Sequence, residues 1–465
     1  TVAADAPEVG VSVTPLVAMD TAQNDGEDHW ETWTWVRASA KQRTANGRWF
    51  IAVNADHHLR SGQDTEGLWH MSVGESGWAG SVGPTHVRVG VLNERWGKLD
   101  LLPTIDVLNP RNLRAGPLSS IESTRVPIPM FTVQVGTNDL RGEITYAPFP
   151  EGDHIQMIGS DWSLIRPGIL EKEVSNIPNW SGADNPLLAE SITELSTALS
   201  DLEPSTQRAL GGAIQSIGTP ENFGHKGNIA ARIEIEGPGI DAALVAANMR
   251  SALPVTKLSK RYRDLIENQA LPALTQIQSF TSETPLSSKW TRTWMGGAEL
   301  STVVGPIGLR AEGGFWSDKV VQQTWLDSAV TPALSSGLGL DYAHGSTVFV
   351  GLEGRWQHLL TPVQRSFFTR EDIVEVGSTV RIALFNERVQ LQAAALFNAT
   401  YEEWLARPEI RWINSDSFSV SLGAVIIDGP LPPPTDLASV LSYKGGPLSA
   451  MSENDAVFIS MRWTQ

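Results

Sequence analysis

From position 290 to 463 apolar and polar residues alternate along a series of segments. In 307–315 the odd positions hold Ile307, Leu309, Ala311, Gly313 and Phe315, and the even positions hold Gly308, Arg310, Glu312 and Gly314. The alternation returns in Val348, Val350 and Leu352 against Glu353 and Arg355. It returns in Val380, Ile382 and Leu384 against Arg381, and in Leu391, Ala393, Ala395 and Phe397 against Gln390 and Gln392. It closes the chain in Val457, Ile459, Met461 and Trp463 against Ser460 and Arg462. Period two sends successive side chains to opposite faces of a sheet. One face is therefore apolar and rich in Ala and Gly, and the other carries charges of both signs. Soluble β-sandwiches alternate too. Here the segments run to roughly 9–14 residues, against five or six in soluble sheets and about 9–11 for a tilted membrane-spanning strand. Trp290, Trp316, Tyr342, Trp356, Tyr401, Trp404, Trp412 and Trp463 gather near segment ends, as in the aromatic girdles of membrane barrels. The fold class these features predict is all-β, a single transmembrane antiparallel β-barrel spanning 1–465.

Parity and turn signals place strands at 30–40, 48–58, 66–75, 86–96, 128–137, 139–147, 226–236, 239–249, 289–303, 306–317, 334–343, 346–357, 372–386, 388–400, 404–414, 417–427 and 455–464. A closed barrel with both termini on one side needs an even number. Adding 9–17 gives about 18; dropping 9–17 and 66–75 gives 16, the second choice. With 18, the long connections 18–29, 97–127, 148–225, 250–288, 318–333, 358–371 and 428–454 share one side, and tight turns such as 237–239 and 386–388 occupy the other. The segment 404–414 is the weakest late strand, because Pro408 lacks a ladder donor. The connections 148–225 and 250–288 carry helical insertions, at 185–217 and 255–271. The first begins at Asn185–Pro186, an N-cap followed by proline at the first helical position, and reads as an extracellular plug or rim cap. Pro430, Pro432, Pro433 and Pro434 make a stiff extended stretch.

There is no cysteine, which removes disulfides, thiol catalysis and thiolate metal sites together. No run approaches the roughly 18 apolar residues of a spanning helix. The net charge of −17 argues against nucleic-acid binding. The opening at Thr1, without an apolar signal core, reads as a chain from which a signal peptide has been removed.

Projected by parity, the charged face forms a lumen-lining set: Arg88, Glu94, Arg141, Glu143, Arg232, Glu234, Arg310, Glu312, Glu353, Arg355, Glu375, Arg381, Arg407, Glu409, Arg411 and Arg462. Burying these without water or partners would be very costly, so the expectation is a wet or ion-paired interior. It holds nine Arg and seven Glu, so the surplus acid falls in loops, and weak cation preference at low salt follows. No metal helix, nucleophile elbow, phosphate loop or dinucleotide fingerprint is present. The chain reads as a non-enzyme without cofactor or metal. His57–His58 reads as a strand-end pair rather than a metal site.

Trp96, Gly97 and Asp100, followed by Asp106, Asn109, Pro110 and Arg111, form a turn within 86–165. It resembles a signature of large bacterial outer-membrane porin-like barrels related to alginate-export channels, most of them uncharacterised. Asn112 stands where that signature has a second Asp. The resemblance implies a barrel and a rigid turn, with Asp106 and Asn109 capping through side-chain-to-backbone bonds and Pro110 fixing φ. Three functions compete: an outer-membrane channel passing small polar solutes or ions, a structural or anchoring barrel with a closed lumen in a larger envelope assembly, and a soluble Trp-rich carbohydrate-binding β-protein. The expected partners are outer-membrane lipid and, through the long loops, envelope proteins.

Overall fold

The computed structural model describes residues 7–21, 30–60, 68–119, 124–137, 139–154, 162, 169, 227–268, 286–364, 366, 368–452 and 454–465. Its main sheet begins with β1 (Glu8–Asp20), β2 (Trp30–Thr44), β3 (Gly47–Arg60), β4 (Leu68–Val73), β5 (Ser76–Val82) and β6 (Thr85–Leu92). It continues through β7 (Ile128–Gly136), β8 (Leu140–Ala147), β9 (Asn228–Gly237) and β10 (Ile240–Arg250). A small hairpin of β11 (Val255–Leu258) and β12 (Leu286–Lys289) stands apart from it. The main sheet resumes with β13 (Arg292–Val304), β14 (Ile307–Gln322), β15 (Ser328–His344), β16 (Val348–Leu359) and β17 (Asp372–Leu384). β18 (Val389–Asn398), β19 (Glu403–Ser415), β20 (Phe418–Asp428) and β21 (Ala456–Thr464) complete it.

Each strand pairs antiparallel with its neighbours, and β21 returns to β1, Val13 opposite Trp463 and Met19 opposite Val457. The sheet therefore closes and has no edge, the one arrangement that satisfies every strand donor and acceptor in lipid. β4 pairs with 53–58 of β3 and β5 with 47–50 of the same strand. They are two pieces of one wall strand broken at Gly74 and Glu75, so the wall counts 18 strands. The alternative of 16 is overturned, since both 9–17 and, of the segment 66–75, Leu68–Val73 lie in the ladder. The lower piece, β5, was not expected from the pattern, because Gly77 and Gly80 thin its apolar alternation. β19 forms despite Pro408; its ladder to β20 passes from Ala406 opposite Ile426 to Glu409 opposite Gly423.

The outer face is apolar and bare. Leu338 is 69% exposed, Leu244 64% and Leu352 50%, and Leu309 and Ile459 share that face. Ile382 and Val420 have the same parity. Apolar surface of this extent is unfavourable in water and suits acyl chains. Trp49, Trp69, Trp294, Trp412 and Trp463 stand exposed toward strand ends. At the tight-turn side, Gly239 and Gly305 take φ of 83° and 62°, which a glycine adopts without strain.

The apolar core lies inside the barrel, not between two sheets. One cluster joins Leu92, Trp96, Ile105, Leu108, Met130, Val245, Met295 and Trp316. A second joins Leu16, Trp33, Leu118, Trp162, Val425, Leu448 and Phe458. Both contain residues of long connections, so the described parts of 93–127 and 429–455 fold inward. That overturns the soluble-sandwich reading of the alternation. A third cluster, on the long-loop side, packs Leu258 and Tyr262 with Trp325 and Leu441. It joins helix α1 (Lys260–Asn268) to the short helix α2 (Leu437–Leu441). The helix expected at 185–217, and most of 148–225, fall outside the described residues; α1 lies within the expected 255–271.

Replacing Leu352 by Arg puts a charge in the middle of the apolar outer band. It should lower barrel stability by about 2–4 kcal/mol, measured by urea unfolding from lipid vesicles. Arg at Arg381, on the opposite parity, is already native and sets the contrast.

Candidate functional site

The connection 93–127 leaves β6 and runs along the inner wall in two arms. Irregular backbone inside a barrel has amides that no ladder serves, and each unmet donor is costly. Wall carboxylates serve them here. Glu299 of β13 accepts from the Gly97 amide at 2.8 Å. Glu312 of β14 accepts from Lys98, from Leu99 at 2.6 Å and from Thr104 at 2.8 Å, with Ile105 at 3.3 Å. Glu353 of β16 accepts from Asp100 at 2.7 Å and from Leu101 and Leu102 at 2.9 Å. Arg310 donates to the Lys98 carbonyl and to Asp100 at 2.7 Å. A Cβ at Gly337 or Gly339 of β15 would collide with Leu99, so those two glycines make the recess that admits it.

The neck of this connection is tied by Asn109. Its Oδ1 accepts from the Glu94 amide at 2.8 Å, and its Nδ2 donates to the Leu92 and Val126 carbonyls at 3.0 and 2.8 Å. Asp106 accepts from Arg111 at 2.5 Å and Arg125 at 2.7 Å. Trp96 donates from Nε1 to Glu143 at 3.2 Å. The second arm turns the other way. Arg114 donates to both oxygens of Asp56 of β3 at 3.0 Å, beside His70 of β4. Leu118 packs among Leu16, Trp33 and Phe458, and Arg407 of β19 donates to its carbonyl at 3.4 Å. One arm thus reaches β17, where Leu101 lies against Gly377, and the other reaches β19. Together they form a belt across most of the inner wall. The connection 429–455 repeats the device: Glu403 accepts from the Ser449 amide at 2.7 Å and its hydroxyl at 3.0 Å.

The residues projected as lumen-lining all have inward parity, and the structure sorts them by partner. Arg88 pairs with Glu94 at 2.8 Å. Arg141 pairs with Glu234 at 3.4 Å and also with Glu236; Arg232 pairs with Glu234 at 2.8 Å and also with Glu299. Arg310 reaches Asp341 at 2.7 Å and Glu353 at 3.1 Å. Arg355 donates to Glu375 at 2.7 Å. Glu409 holds Arg411 at 2.8 Å and Arg407 at 3.5 Å. Arg381 and Arg462 have no ion pair among the described residues and are exposed. Three of the i, i+2 sets do not pair within themselves: Glu143 turns to Trp96, Glu312 to the belt amides, and Arg355 to Glu375.

Sequence reasoning missed Glu299, Asp341, Glu403, Asp56 and Arg37. Parity alone could have found Glu299 on the face of Met295. Asp56 and Arg37 needed the inward parity of β2 and β3, which the buried Trp33 and Ala52 now show. His57 and His58 take opposite faces. His57 stacks on Trp69, and His58 stacks on Trp33 beside Glu31, so the pair does not share one ligand position. Among the described residues, His358, Glu371 and Asp372 are the group whose ligand atoms lie within 4.8 Å of one another, exposed where β16 meets β17.

No family model matches the sequence, and no curated protein matches it. Solved structures of similar fold include Salmonella typhi OmpF in complex with daunomycin, 8% identical, covering 99% of this chain and 97% of that one, with a TM-score of 0.41. Pseudomonas aeruginosa OccK5 (OpdH) is 8% identical, with 98% and 97% covered and a TM-score of 0.46. Acinetobacter baumannii OccAB3 is 7% identical, with 99% of each chain covered and a TM-score of 0.46.

Glu312→Gln replaces a carboxylate by a group with a single acceptor oxygen and an N–H₂ facing N–H donors. Loss of one charge-assisted bond costs about 1.5–3 kcal/mol. The amides of Lys98, Leu99, Thr104 and Ile105 should exchange with deuterium at least about tenfold faster, while the β14 ladder amides remain protected. A second expectation concerns Glu94, just past β6, whose burial pushes its carboxyl up to about 7. The folded state then holds a proton that the unfolded chain releases near 4.5. Stability from this group is greatest at low pH and falls as pH rises from about 4.5 to 7. Glu94→Gln should flatten that slope in unfolding measured across this range.

Proposed function

We propose that this chain is a channel of a bacterial outer membrane that passes small polar solutes or ions through its charged interior. The observation that carries the reading is exposure on the inward face. Arg37, Lys41, Arg48, Arg381 and Arg462 have inward parity yet are exposed, so water reaches the inner wall on the tight-turn side. Eighteen strands enclose more space than wall side chains fill, and the belt narrows that space without being part of the wall. The outer apolar band supports lipid as the surrounding medium, and envelope proteins at the long loops belong to the same proposal. So does kinship with alginate-export-related barrels, which rests on the turn from Trp96 to Arg111. The residues projected as lumen-lining are proposed to line the path, those bound to the belt by shaping it and the exposed arginines by meeting the solute.

A structural barrel with a closed lumen is the second reading. It is favoured by the two inward connections and by the apolar contact between α1 and α2 over the long-loop side. Reconstitution into planar bilayers separates the two. Stepwise single-channel conductance is expected, and Glu312→Gln with Glu353→Gln should change its amplitude or add flicker, because the belt loses its anchors. A correctly folded barrel that inserts and passes no current supports the structural reading instead.

A further inference from the structure

Four inward arginines stand on alternate wall strands: Arg381 on β17, Arg411 on β19, Arg462 on β21 and Arg37 on β2. The strands between them present neutral hydrogen-bonding groups at the same level. Arg381 lies opposite Gln392, and Gln390 opposite Arg411. Arg411 lies opposite Ser421, and Ser419 opposite Arg462. Ser12 of β1 lies opposite Arg37. Adjacent strands are about 4.8 Å apart, so a guanidinium recurs about every 10 Å along this arc with amide or hydroxyl groups between. Arg381, Arg411 and Arg462 lie toward the tight-turn ends of their strands, and Arg37 is the middle residue of β2.

The opposite wall differs in kind. Most of its carboxylates are committed: Glu299, Glu312 and Glu353 to belt amides, and Glu234 and Asp341 to arginines, while Asp241 near the tight turn of β10 has inward parity and no ion pair among the described residues. On the arc the balance is reversed. Glu409 is shared between Arg407 and Arg411. Arg37, Arg381 and Arg462 have no ion pair among the described residues; Arg381 only lies 5.9 Å from the Phe349 ring. Glu8, opposite Lys41 at the strand end, and Glu387 and Asp416 in the tight turns after β17 and β19 are acids on this side, borne at or beyond the strand ends rather than on the arc. Beyond these turn-side acids, a cationic solute meets carboxylates that already hold partners. An anionic one meets exposed guanidiniums whose forked donors match carboxylate and phosphate oxygens. Charges about 10 Å apart lie near the Debye length of about 8 Å at physiological salt, so their fields overlap at the wall.

We infer that this arc is a binding station for small multivalent anions bearing carboxylate or phosphate groups, and that it makes the channel anion-preferring although the whole chain is at −17. The inference names the solute class of the proposed channel and so rests on that reading. It reverses the weak cation preference expected from composition, because pairing removes the carboxylates and leaves the arginines.

The test uses the full chain in two assays. In planar bilayers across a tenfold KCl gradient, the wild type should show a reversal potential of anion-selective sign. Arg381→Glu with Arg462→Glu should move it to the cation-selective side, and Arg381→Gln with Arg462→Gln to an intermediate value. In detergent micelles, calorimetric titration with citrate and, separately, inorganic phosphate should show binding by the wild type that weakens at least about tenfold in both double variants. Affinity for citrate alone assigns carboxylates, and affinity for phosphate alone assigns phosphate groups. Cation selectivity in the wild type, or equal anion affinity in wild type and variants, overturns the inference. Absence of any current with citrate or phosphate binding intact overturns the channel reading and leaves the binding station supported.

Discussion

An irregular stretch of backbone inside a barrel must find acceptors for its amides, and the rest of this structure depends on how that demand is met. Four wall glutamates, Glu299, Glu312, Glu353 and Glu403, accept the amides of two connections folded inward. A carboxylate has two oxygens and room for several donors, so Glu312 alone serves four amides. The exchange satisfies both parties. The amides gain charge-assisted bonds, and the carboxylates gain a partner that is not another charge, which lowers the cost of burying them.

That arrangement decides the electrostatics of the interior. Carboxylates spent on backbone amides leave arginines elsewhere without acids to face. The near balance of Arg and Glu along the strands therefore does not become a lattice of matched pairs. It becomes a divided wall: at the level of the belt carboxylates hold amides and arginines, and below it, from β17 round to β2, exposed guanidiniums stand between Gln and Ser. A field directed across the barrel is the physical consequence.

Apolar packing serves the same belt. Trp96, Ile105 and Leu108 on one arm, and Leu118 on the other, fill against wall residues that are inward yet hydrophobic, such as Met295, Val245, Val425 and Phe458. A purely aqueous lumen would have no use for these. They occur where the belt runs, and the exposed charges occur toward the tight-turn side, so the inner wall is divided by height as well as around its circumference.

The sequence by itself determined the class of fold and the face of most residues. Period two in Leu309, Arg310, Ala311 and Glu312 decides which side chain points out, because a strand has only two faces. The chain's long and short connections set the count of strands, and β5 escaped only because its glycines blur the period. What Glu312 does was decided by tertiary structure. Parity puts it inside the barrel, but its partner Lys98 is 214 residues away, and no local pattern encodes which wall position a distant connection will cross. The turn around Asp106 and Asn109 was legible as rigid through its proline and through Asn109, which bonds backbone groups as expected; Asp106 instead takes the side chains of Arg111 and Arg125, not backbone amides. That the turn belongs to a belt held by carboxylates of three strands was not legible, because hydrogen bonds between a loop and a wall depend on closure of the ring, and closure is a property of all the strands together.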